Sequence, residues 1–108
     1  MRTKKTKAAE PVQPVPYNEA VRKLEVQLDG EIYKADILAV FKALFQNHLT
    51  FGYPQFLGMT GALRDAYDLS YDKTLGYYDK WVNLLLDAKK IVMVSKLDYP
   101  IFCVLNHN

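Results

Sequence analysis

The sequence is short of cysteine and histidine, and its body carries no excess charge. Each shortage removes a class of explanation. A single cysteine, Cys103, excludes an internal disulfide and fits a reducing compartment. The two histidines, His48 and His107, stand at no nucleophile or metal-ligand spacing from a Cys or Asp, and the scattered acids form no metal loop. The glycines of GYPQFLGMTG lack the Lys-Ser/Thr element of a phosphate-binding loop. These residues call for no metal and no cofactor, and a non-enzymatic role is expected. No apolar run approaches the ~18 residues that span a bilayer. The segment AAEPVQPVP is broken by glutamate and prolines, so it is no signal-peptide core. A soluble, cytoplasmic protein without membrane contact is expected.

Charge is uneven along the chain. Four of the 14 basic residues (Arg2, Lys4, Lys5 and Lys7) and one of the 12 acids fall in the first ten positions, which leaves the rest with 10 against 11. Such a body has little general attraction for phosphate, so any nucleic-acid affinity needs a local patch, the tail, or a patch doubled in a dimer. Residues 1–16 read as a disordered basic and proline-rich tail, because closely spaced prolines forbid a regular helix. Half of the chain is hydrophobic, enough for one ordinary core, so residues 17–108 read as a single domain.

Residues 23–35, KLEVQLDGEIYKA, read as a β-hairpin. Leu24, Val26 and Leu28 alternate with polar residues, and Asp29-Gly30 is the dipeptide of a tight turn. A helix from Asn18 to Leu28 competes with it, since Val21, Leu24 and Leu28 also share a helical face. DILAVFKALFQNH predicts a helix with Asp36 as its cap and Ile37, Leu38, Phe41, Leu44 and Phe45 turned to the core. Residues 49–61 read as a glycine-punctuated loop whose Phe51, Tyr53 and Phe56 either pack on that helix or form a binding surface. Thr60 is placed to cap a short helix. Ser70 or Asp72 caps a long one running to about Lys89, with Tyr71, Leu75, Tyr78, Val82, Leu85 and Leu86 as its core stripe. IVMVS and IFCVL, joined by KLDYP, predict a hairpin in which Cys103 shares a buried face with Ile101 and Leu105.

From residue 36 the order is helix, short extended piece, short helix, tight turn, long helix, hairpin. ALRDAYDLS resembles the second helix and turn of the winged helix-turn-helix superfamily. SYDKTLGYYDKWVNLLLDAKKIVMV resembles its third helix running into the first wing strand. The likeness covers about residues 36–106 and lies at the level of fold. It implies an α+β winged helix-turn-helix domain with an extra N-terminal β-hairpin. It also implies double-stranded DNA as partner, with the third helix presenting its outward N-terminal side to the major groove. Ser70, Tyr71, Lys73, Thr74, Tyr77 and Lys80 would then contact DNA, assisted by Lys96 on the wing. Arg2, Lys4, Lys5 and Lys7 would lie on phosphate. The role expected is transcriptional control, or replication or maintenance of a viral or mobile genome.

The same scaffold also serves as a protein-binding module. Asp72 and Asp79 on the long helix, the absence of arginine there, and the near-neutral body favour that alternative. Tyr77, Trp81, Leu84 and Ala88 form a second apolar line on this helix. Either it is a homodimer or partner interface, or the N-terminal hairpin folds over it.

Overall fold

A computed structural model of the chain describes residues 15–105, with side chains from residue 19 onward. The expected tail lies outside the described residues except at Val15 and Pro16, where the first helix begins. The fold is α+β. Among the described residues there are five helices, α1 (Val15–Gln27), α2 (Lys34–Asn47), α3 (Tyr53–Met59), α4 (Gly61–Tyr67) and α5 (Tyr71–Asp87), and a small antiparallel sheet. Its strands β1 (Thr50–Gly52), β2 (Ile91–Lys96) and β3 (Pro100–Val104) lie in the order β1-β3-β2. No helix among the described residues is long and apolar enough to cross a membrane.

The N-terminal β-hairpin expected over residues 23–35 is replaced by α1 and a turn. Two periodicities compete in KLEVQL, and burial decides between them. Ala20, Leu24 and Leu28, spaced by four, are buried, whereas Val26, which a strand would have turned inward with Leu24, is 74% exposed. The helical face wins because α5 offers it a long apolar surface to cover. The Asp29-Gly30 turn does form. Glu31 N–H donates to Leu28 O at 2.9 Å, and Gly30 takes a φ of 91°. It links two helices instead of two strands.

In α2 the predicted stripe is met by Ile37, Phe41, Leu44 and Phe45, with Leu38 half-buried. The helix starts two residues before the expected cap. Asp36 therefore sits in its first turn, where it accepts from the Tyr67 hydroxyl at 3.1 Å. The aromatics of residues 49–61 pack inward. Phe56 stacks on Phe41 with ring centroids 4.6 Å apart, and Phe51 lies 5.5 Å from Trp81. The segment expected as a loop contains β1 and α3, started by Pro54 in the first turn and by a bond from Gly52 N–H to Gln55 Oε1 at 2.8 Å. Gly52 is fixed by crowding: a Cβ there would lie 2.9 Å from Ile101 Cδ1 and 3.0 Å from Pro100 O.

Thr60 occupies the position before α4, but its side chain does not cap. Its hydroxyl donates back to Leu57 O at 3.0 Å and accepts from Arg64 Nε at 3.2 Å. Ser70 does cap α5, its Oγ accepting from Lys73 N–H at 3.1 Å. The core stripe of α5 is rotated from the one expected. Thr74, Tyr77, Tyr78, Trp81, Val82 and Leu85 are buried, while Tyr71 and Leu75 are exposed. The expected stripe follows one edge of this face. Packing by α1 and α2 on the other edge pulls the axis toward Tyr77 and Trp81. The helix ends at Asp87, and Lys89 turns the chain with a φ of 59°.

The final hairpin is present with its faces exchanged. Phe102 and Val104 point inward, whereas Cys103 and Ile101 are half-buried and Leu105 is exposed. A one-residue change of parity exchanges every side chain of a strand between faces. Here pairing of Phe102 with Phe51 of β1 sets the parity.

Candidate interaction surface

Ser70, Tyr71, Lys73, Thr74, Tyr77 and Lys80 all come from the first half of α5 or its cap. The helix divides them between interior and solvent. Thr74 is fully buried, and its hydroxyl donates to Ser70 O at 2.8 Å. Tyr77 is buried too. Its hydroxyl donates to Glu31 Oε2 at 3.2 Å and lies 2.9 Å from the Tyr33 hydroxyl. Neither side chain can reach a groove or a partner surface, so both leave the expected contact set. Trp81 leaves the expected interface for the same reason. It is 0% exposed, packed between Phe41 and Phe51. The remainder of that second apolar line, Leu84 and Ala88, faces α1 across a shallow hollow shared with Glu19, Ala20 and Lys23. The N-terminal segment lies against this part of the line as helix α1 and not as the expected hairpin, and it leaves Leu84 and Ala88 half-buried.

Lys73 is on the surface but engaged. Its Nζ lies 3.5 Å from Glu31 Oε2 and 5.4 Å from the centre of the Tyr33 ring. The Glu31 carboxyl is held below its ordinary range by the Tyr33 hydroxyl foremost, then by Lys73 and the Tyr77 hydroxyl, against partial desolvation. Burial pushes the Tyr33 and Tyr77 phenols upward, so both remain protonated donors. This cluster ties the turn after α1 to α5. Nothing in the local sequence signals it, because Glu31 and Tyr77 are 46 residues apart. Tyr71 is exposed and carries the Arg64 guanidinium 4.9 Å above its ring.

What remains free on α5 is mainly acidic. Asp72, Asp79 and Asp87 are exposed along with Asn83 and Lys80, and Lys80 makes no ion pair among the described residues. A helix face of this composition repels a phosphate backbone at close range. Beyond it lies the hairpin. Lys96 is exposed there, next to Leu97 at 92% exposure and near Asp98. β2 forms the outer edge of the sheet, with Val92, Met93 and Val94 all exposed. Val94 is the extra residue of a bulge between Met93 and Ser95, which adds a third apolar side chain to the exposed run. From sequence, IVMVS reads only as a hairpin strand, with no surface assigned to it; the signal passed over is the unbroken apolar run itself.

No group of three His, Cys, Asp or Glu among the described residues is placed to hold a metal ion. Comparison with protein-family models, curated proteins and solved structures finds no match to this chain in any of the three.

Proposed function

We propose that this chain is a winged-helix-type protein-interaction module, binding its partner through the β2–β3 wing and the adjoining face of α5. The order of elements from α2 to β3, with β1 paired to β3 beside the final hairpin, supports the winged-helix reading. The observation that carries the functional reading is the exposed apolar run of Val92, Met93 and Val94, continued by Leu97, on strand β2, which pairs with β3 on one side and forms an edge of the sheet on the other. An exposed apolar strand edge is a surface that proteins either protect or use, and main-chain pairing to such an edge is a recurring recognition mode. Asp79, which lines a cleft with Tyr99 and Pro100 of the hairpin, favours a partner that is apolar with a basic flank.

The test compares affinity capture by the intact chain and by a Met93→Ser, Leu97→Ser variant, whose changes lie at exposed positions and spare the core. A protein partner retained by the wild type and lost by the folded variant is the expected result. Equal retention by both overturns the assignment to the wing.

Double-stranded DNA is a second reading. Ser70, Lys80 and Lys96 are exposed on the surfaces that a winged helix would present to a duplex, and the basic residues of the first ten positions add to them. With Lys73 paired and Thr74 and Tyr77 buried, this reading rests on two lysines and the tail.

A further inference from the structure

A separate cleft lies between α5 and the loop joining β2 to β3. It encloses about 190 Å3, and four of the side chains lining it are aromatic: Tyr53, Tyr78, Tyr99 and Phe102. Asp79 is the one charged residue of the lining. Tyr78 and Phe102 are buried and form the floor, whereas Tyr99 and Asp79 are exposed at the mouth. The Tyr53 and Tyr78 rings stand 5.2 Å apart, and neither hydroxyl has a hydrogen-bond partner.

This lining selects among ligands. Anions meet the Asp79 carboxylate and no cation in the lining; Arg64, which acts on the Tyr53 phenol, is hydrogen-bonded to Thr60 and Leu57. A neutral apolar guest gains contact area but leaves the carboxylate unpaired and partly desolvated. A cation that needs no hydrogen bonds gains from both features, because ring faces and a carboxylate attract it together. Burial holds the Tyr53 and Tyr78 phenols above their ordinary range, so both stay neutral.

We infer that the cleft lined by Tyr53, Tyr78, Tyr99, Phe102 and Asp79 binds a quaternary ammonium group. Size agrees with this. A cavity of ~150 Å3 holds a benzene ring, and a trimethylammonium head has similar bulk. The remaining volume accommodates the first carbons of the substituent. The cleft is separate from the apolar run of the wing, since Val92, Met93, Val94 and Leu97 do not line it, but it shares Asp79 with the proposed partner surface, so choline binding is read on the free chain.

The experiment is an NMR titration of the full chain with choline, in parallel with 3,3-dimethylbutan-1-ol, which has the same shape without the charge. Choline is expected to shift the amides of Leu75, Asp79 and Tyr99 saturably. It should bind about tenfold more tightly than the neutral alcohol, as a desolvated cation–π site requires. Asp79→Asn and Tyr99→Leu, both at exposed positions, are each expected to weaken choline several-fold while leaving the alcohol unchanged. Equal affinity for choline and the alcohol overturns the inference, as does saturating choline that moves no cleft resonance. A third arm uses a trimethyllysine peptide and its unmethylated counterpart. Tighter binding of the methylated peptide than of choline assigns the group to a protein side chain. Equal binding assigns it to a free small molecule.

Discussion

The Lys73 ammonium lies 3.5 Å from Glu31 Oε2. The lysine best placed at the start of α5 to meet a phosphate is thus paired to a carboxylate brought from the turn after α1. Both partners are partly exposed, so the pair itself adds little to stability. Its consequence is electrostatic. It cancels one of the two exposed cations in the first half of α5 and leaves Asp72 and Asp79 unopposed there except by Lys80.

Glu31 makes the folded state sensitive to acid. Its carboxyl is held below the ordinary value of 4.5, so the unfolded chain takes up a proton before the folded one does. The stabilisation is fully present above that value and is lost as pH falls through the lower folded-state pKa. Urea denaturation at a series of pH values should show this loss in the wild type and a shallower one in Glu31→Gln. Identical pH profiles for the two proteins would remove Glu31 from the account.

Tyr77 and Tyr78 are neighbours with opposite expectations. The Tyr77 hydroxyl bridges Tyr33 and Glu31, so Tyr77→Phe should destabilise by ~1–3 kcal/mol, leaving two groups short of a partner. The Tyr78 hydroxyl is buried without a partner, so Tyr78→Phe should be neutral or stabilising by ~1 kcal/mol. Chemical denaturation of the two variants side by side reads the difference. A reversed order would show that the hydrogen bonds are assigned to the wrong tyrosine.

Trp81 belongs to the core and not to an interface. Trp81→Ala should lower stability by ~3–5 kcal/mol, because it empties a site shared with Phe41 and Phe51. A Trp81→Ala protein that keeps its stability but loses self-association or a partner would place this side chain on the surface.

Two glycines separate crowding from helix propensity. Gly52→Ala forces a Cβ against Pro100 O and Ile101 and should destabilise by ~1–3 kcal/mol. At Gly76, inside α5, an added Cβ meets nothing within 4 Å, so Gly76→Ala should stabilise by ~1 kcal/mol. Thermal melts of both variants check the signs.

The parts of the fold legible in the sequence are those where local pattern and tertiary packing agree. The α2 stripe, the Ser70 cap and the final hairpin are of this kind, because period, cap chemistry and turn residues all point the same way there. Residues 23–35 misled because Leu24 and Leu28 satisfy both a helix and a strand, and only α5 decides between them. The rotation of α5 was hidden for a related reason. Tyr71, Leu75, Tyr77 and Trp81 are all apolar enough to face inward, and which do so depends on where α1 and α2 lie. The parity of β3 depends on pairing with β1, more than 40 residues away in sequence. Of the candidate contact residues, Ser70, Lys73, Lys80 and Lys96 lie on the surface, and Tyr71, expected both in the core stripe and among the contacts, is exposed. Thr74, Tyr77 and Trp81 are buried against expectation, since polarity and aromatic character do not fix the phase of a helix.

On the proposed reading the wing and α5 meet protein and not DNA. The most direct measurement is fluorescence anisotropy of random-sequence duplex DNA with the full chain at low and high salt. It compares the wild type, Lys80→Ala with Lys96→Ala, and a variant in which Arg2, Lys4, Lys5 and Lys7 are alanine. Any binding is predicted to survive loss of the two body lysines and to vanish with the four basic residues of the N-terminal segment. Steeply salt-dependent binding that the Lys80→Ala, Lys96→Ala pair abolishes, with the N-terminal segment intact, would contradict the account and place DNA on the fold itself.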